Sequence, residues 1–133
     1  MSELRALEMM RSVPEGCIAF PICDDSTEPH LKPGEFAIVD TNDRDPVVGE
    51  LYVIERKWRS ETERRREIVQ VCRFAKSVFA DGSSALYVGS YVPDQYIRGI
   101  GKTRMLDGGY PAESLKQLLI GRVVGIHDYA VQS

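Results

Sequence analysis

The chain has 133 residues, 43% of them hydrophobic and 28% charged, with a formal net charge of −3. That length suits one domain large enough to bury a real core, and the composition is ordinary for a globular protein. The charge does not favour non-specific attraction to phosphate backbones, and no apolar run is long enough to span a bilayer.

From Ser2 to Ser12, Leu4, Leu7 and Met10 are spaced three apart with Arg5, Glu8 and Arg11 between them. This spacing predicts a short amphipathic helix, capped by Ser2 and ended by Pro14 and Gly16. The same charges leave no signal-peptide core. Residues 1–16 are therefore read as an N-terminal helix and linker, and residues 17–133 as a single β domain. So short a helix is marginal alone, and it either packs on its own domain or docks a partner. Three cysteines, Cys17, Cys23 and Cys72, make an odd number without metal-type spacing. They fit reduced thiols in a cytoplasm.

Cys17 to Cys23 reads as an apolar strand entering a polar loop that contains Ser26. Pro33 presets φ for a turn, and Gly34 can take the positive φ that a type II turn needs next. Glu35 to Asp40 follows as a buried strand, Asp40 to Pro46 as polar turn material, and Leu51 to Ile54 as another strand. Glu55 to Glu67 is a charged run, with Arg56, Lys57, Arg59, Arg64, Arg65 and Arg66 set against Glu55, Glu61, Glu63 and Glu67. Lying between two strands, it predicts a long hairpin tip. Basic residues around Trp58 raise a nucleic-acid finger as one reading of Arg56–Arg66. The interleaved glutamates favour a solvated hairpin instead.

Ile68 to Phe74 alternates Ile68, Cys72 and Phe74 against Val69 and Val71, as a strand does. A turn at Asp81-Gly82 leads to a strand over Ala85 to Ser90. Tyr91 to Gly109, with one proline and four glycines, reads as a long surface loop. Pro111 to Gln117 is expected to form a helical turn before a last strand, Leu118 to Ile126. Many short strands with little helix predict a mostly-β domain. His30 and His127 have no Cys or carboxylate partners at ligand spacing, so no metal site is expected. Gly99-Ile100-Gly101-Lys102-Thr103 lacks both the leading glycine of a phosphate loop and an apolar strand before it, so no cofactor is expected either.

Asp25-Ser26-Thr27-Glu28-Pro29 followed by Leu31-Lys32-Pro33-Gly34-Glu35 resembles the nucleophile motif of LexA-type serine peptidases, the family that includes phage repressors and SOS mutagenesis proteins. Pro46 to Ile54 resembles a further family strand and Ile120 to Ile126 its closing strand, so the match runs in order from about Ile18 to Ile126. The resemblance implies a LexA/signal-peptidase-like twisted β-sheet domain with Ser26 in the nucleophile position. It also implies a lysine base on a later strand, in a sequence like Val-Lys-Arg-Leu. Burial is what lets a lysine amine act as a base, and backbone N–H groups beside the serine would hold the oxyanion.

The corresponding segment is Val71-Cys72-Arg73-Phe74, and Cys72 stands in the lysine slot. A thiol offers no basic amine, and losing one member of such a unit costs on the order of 10⁴ to 10⁶ in rate. Lys76 is the one substitute with a positional argument, four residues further on and roughly 13 Å away at about 3.3 Å per residue. Thr27 replaces the methionine expected after the serine, Asp24 adds a carboxylate where a small residue is usual, and no Ala-Gly pair exists for self-cleavage. The expected protein is a stand-alone, cytoplasmic domain of this type that has lost catalysis. It would act by binding an extended peptide or forming a homodimer, in the family through the C-terminal strand, with repression or the SOS response as its setting. The rival reading is an active serine peptidase using Ser26 with Lys76 or another base.

Overall fold

The computed structural model describes residues 7–23, 31–58, 60–90, 96–97, 101–102 and 105–128. For residues 58, 60–61, 75, 90, 96–97, 101–102 and 105–106 it describes the backbone alone. The fold is mostly β, and most of its strands form one sheet. In chain order these are β1 (Glu8–Met9), β2 (Cys17–Pro21), β3 (Phe36–Asp40), β4 (Leu51–Trp58), β5 (Ser60–Val78) and β6 (Ser84–Ser90). Two short strands, β7 (Tyr96–Ile97) and β8 (Gly101–Lys102), pair only with each other. The sheet resumes with β9 (Met105–Tyr110), then helix α1 (Ala112–Leu118), then β10 (Leu119–His127). Its order is β2-β3-β10-β4-β5-β6-β9, antiparallel throughout, with β1 added in parallel to β10. No described helix is long and apolar enough to cross a membrane.

Alternation along β4 and β5 builds two cores on opposite faces of this sheet. Tyr52 lies opposite Val69 and Val53 opposite Ile68, so each rung feeds one face. Val53 and Ile68 join Leu51, Val39 and Val123 in a first cluster. Tyr52 and Val69 join Val71, Val88 and Leu115 of α1 in a second. Leu115 is fully buried, worth about 1.5–3 kcal/mol in apolar surface removed from water. β10 serves both faces because its register shifts between Leu119 and Gly121 and again between Val123 and Gly125. Such bulges re-aim side chains, and so Leu119 belongs to the second cluster while Val123 and Ile126 belong to the first.

The N-terminal helix is not borne out over residues 7–12. Glu8–Met9 is a strand paired with Gly125 and Ile126. The Met10 N–H donates to the Ile126 carbonyl at 2.7 Å, and His127 Nδ1 lies 2.8 Å from the Met10 carbonyl oxygen. β4 pairs with β10 only as far as Arg122, while β3 covers the opposite edge through His127. The edge left open beyond Arg122 offers the N-terminal segment inter-strand bonds that outweigh a marginal helix. Residues 1–6 lie outside the described residues. The 91–109 loop is corrected in part, since Met105–Tyr110 is a strand beside β6. Helix α1 and the strands at Cys17, Phe36, Leu51, Ser84 and Leu119 agree with the sequence. The charged run forms the paired arms of a β4–β5 hairpin that is longer than the tip expected from it.

Both backbone edges of β10 are occupied within the chain, and Leu119, Val123 and Ile126 line the two cores. Gly121 sits against β3 so closely that a Cβ there would collide with the Asp40 carbonyl and lie 2.9 Å from Val39 Cγ1. Gly121→Ala should therefore destabilise the fold by about 1–3 kcal/mol, read as a lower midpoint in urea. An unchanged midpoint would contradict this packing. The Tyr52 hydroxyl donates to the Asp45 carbonyl at 2.7 Å and accepts from the Val47 N–H at 2.8 Å. Burial holds its pKa above the usual 10.0. Its stabilisation is thus fully present below pH 10.0 and lost as pH rises through the higher folded value. Tyr52→Phe should lose about 1–3 kcal/mol at neutral pH and show a shallower decline in alkali than the parent. Equal slopes above pH 10.0 would contradict the assignment.

Candidate functional site

The loop that contains Ser26 is held at both ends. The Ile22 N–H donates to the Glu35 carbonyl at 2.9 Å and the Gly34 N–H to the Ile22 carbonyl at 3.0 Å, extending the β2–β3 ladder past Pro21. Across the turn, the Glu35 N–H donates to the Lys32 carbonyl at 3.0 Å, and Gly34 takes a φ of 89°. This is the Pro-Gly turn with positive φ at its third residue that the sequence predicts. The Glu35 carboxylate accepts from the Lys32 N–H at 2.6 Å and closes it further. Ile22 and Leu31 bracket the loop and are buried in the first cluster together with Leu51, Val53 and Ile68. Ser26 itself, with Asp24, Thr27 and His30, lies outside the described residues.

The face of β5 that carries Ile68 continues through Gln70 to Cys72, because the strand is regular from Arg64 to Arg73. Gln70 is buried, and its Nε2 donates to the Gly49 carbonyl at 3.0 Å, tying the loop before β4 to this position. The Gly49 N–H donates to the Val71 carbonyl at 2.8 Å and strengthens the same junction. Cys72 is half-buried, its thiol 3.6 Å from the Gln70 carbonyl oxygen. Directly across the ladder stands Tyr87. The Phe74 ring meets Tyr87 edge-on at 5.1 Å between centroids, and Ser77 Oγ lies 2.7 Å from the Tyr87 hydroxyl. Phe74 remains 47% exposed, which leaves an open aromatic shelf beside the thiol.

Lys76 lies past a break in the ladder. Arg73 pairs with Leu86 and Val78 with Ser84, so β5 spends three more residues than β6 over that interval and bulges outward. Alternation cannot be counted across the bulge, and Lys76 lies in it, exposed to solvent. It lacks the burial that activates a lysine base. Among the described residues no buried side-chain nitrogen or oxygen lacks a hydrogen-bond partner.

The sequence does not signal a second feature, a cleft of about 320 Å³ between the β4–β5 hairpin and β9. Arg56, Lys57, Arg65, Glu67 and Asp107 line it. Arg56 pairs with Glu67 and with Asp107 at 2.5 Å, and the Tyr110 hydroxyl donates to Asp107 at 2.7 Å. Burial pushes the Arg56 pKa down, but the Glu67 charge and the accompanying hydrogen bonds outweigh it and raise the value. Arg56 stays a cation throughout.

No family model matches the chain, and neither a curated protein nor a solved structure is significantly similar to it. The thiols offer a direct check on the site's geometry. Cys23 is exposed at the mouth of the loop, Cys72 is half-buried, and Cys17 is half-buried with a pKa raised by burial and then by Asp40. Thiolate is the reactive form, so iodoacetamide followed by mass spectrometry should modify Cys23 first and Cys17 slowest. Labelling of Cys72 ahead of Cys23 would contradict the burial described.

Proposed function

We propose that this chain is a catalytically degenerate domain of the LexA-type peptidase kind, acting as a binding module for an extended peptide or a second copy of itself. One observation carries the reading: the two residues that anchor the Ser26 loop, Ile22 and Leu31, share a buried cluster with Ile68, and Cys72 lies on the same face of the same strand. A loop tethered there would present a serine hydroxyl toward a sulfur rather than an amine. A thiol beside a hydroxyl takes no proton from it at neutral pH, so the serine stays a weak nucleophile. The exposure of Lys76 in its bulge argues against a substitute base from that position.

What remains useful is the surface. Phe74 and Tyr87 provide a half-exposed aromatic shelf next to Cys72, and an extended segment laid across it could bury an apolar side chain against the rings. Since both edges of β10 are filled, a second copy would have to engage an outer strand, β2 or β9, or this shelf. A setting in repression or the SOS response rests on the resemblance in residues 18–126 alone.

A fluorophosphonate probe tests the reading directly. The parent chain should stay unlabelled, and Cys72→Lys should gain slow labelling that a further Ser26→Ala removes. Stoichiometric labelling of the parent, lost in Ser26→Ala, would establish an active serine and overturn the proposal.

A further inference from the structure

Among the described strands of the main sheet β1 is the shortest, and its attachment centres on Met10. It pairs with β10 in parallel over two residues, Glu8 with Gly125 and Met9 with Ile126. The Met10 main chain extends this hold at both of its polar groups, the N–H to the Ile126 carbonyl and the carbonyl to His127 Nδ1. The side chain adds a contact of its own. A Cβ on Gly125 would lie 2.8 Å from both Sδ and Cε of Met10 and 2.9 Å from the Glu8 carbonyl oxygen. The thioether therefore rests directly on bare backbone, a close approach that glycine in a strand permits. Met9, next to it, is 53% exposed, whereas Met10 is half-buried.

Without drawing on the Ser26 loop or Cys72, we propose that Met10 is an oxidation-sensitive latch: a peroxide converts its thioether to the sulfoxide, and the sulfoxide releases β1 from β10. The sulfur lone pair attacks one oxygen of hydrogen peroxide, and an S–O bond forms as the O–O bond breaks. The departing hydroxide takes the proton of the transferred hydroxyl and leaves as water. Half-burial keeps the residue within reach of so small an oxidant. A thioether is apolar and adaptable, which suits contact with backbone. The sulfoxide is polar and chiral, and its oxygen is a hydrogen-bond acceptor set near the Glu8 carbonyl, another acceptor. It needs water to be satisfied, and a strand held by two rungs opens readily to admit it.

Hydrogen peroxide treatment of the ¹⁵N-labelled full chain, followed by peptide mapping and amide hydrogen exchange, tests this. Sulfoxide at position 10 should lower protection of the Met10 amide about tenfold and shift the His127 ring signals. Methionine sulfoxide reductase should reverse both changes. Met10→Leu should keep its protection through the same treatment, with Met9 still present and oxidised. Met10→Gln, which places a permanent polar group on Gly125, should show the loosened strand without peroxide. Unchanged protection with position 10 fully oxidised, an equal loss in peroxide-treated Met10→Leu, or a Met10→Gln chain as protected as the parent would each overturn the proposal. So would a Met10 that stays reduced while Met9 is fully oxidised.

Discussion

The structure depends on one constraint: the inner rungs of the β4–β5 ladder, residues 51–54 against 67–70, are regular and feed a buried core on each face. Because Val53 opposes Ile68 and Tyr52 opposes Val69, a slip of one residue would turn every side chain toward the wrong core. The ladder therefore cannot drift. What packs on it inherits a definite side of the sheet, with Leu115 of α1 on one face and Ile22 and Leu31 on the other.

That inheritance turns a sequence position into a chemical argument. Cys72 faces the same way as Ile68 because it lies four positions further along a regular strand, which departs from regularity only past Arg73. The bulge that follows decides the fate of Lys76, which a straight strand would have brought back to the same face. Up to Arg73 the side-chain alternation is dictated by burial. Beyond it, exposed positions such as Phe74 and Val78 impose no such demand, and the chain is free to loop out. The boundary between regular ladder and bulge is thus also the boundary between Cys72, on the face of Ile68, and Lys76, exposed to solvent.

Much of this was legible in the sequence where local chemistry decides the outcome. The Pro33-Gly34 turn, the apolar strands at Phe36 and Leu51, the Asp81-Gly82 turn and the helix near Leu115 all follow from residue preferences acting over a few positions. Misreadings came where a distant strand offered a better partner. Leu7 and Met10 have helical spacing, yet the free edge of β10 near Ile126 draws the segment into the sheet. Met105 to Tyr110 carries two glycines and reads as loop, and it becomes a strand because β6 would otherwise end the sheet. The cleft beside Arg56 was invisible for a similar reason: Asp107 lies 51 positions from Arg56, and no local pattern joins them.

The function we propose requires Ser26 to come within reach of Cys72. It is tested most directly by cross-linking Ser26→Cys to Cys72 in a chain whose Cys17 and Cys23 are replaced by serine. Disulfides form only where Cα atoms approach to roughly 4.4–6.8 Å. The account predicts that mild oxidation yields one intramolecular cross-link between positions 26 and 72, seen by peptide mapping. Free thiols at both positions under the same conditions, with the fold intact, would contradict it.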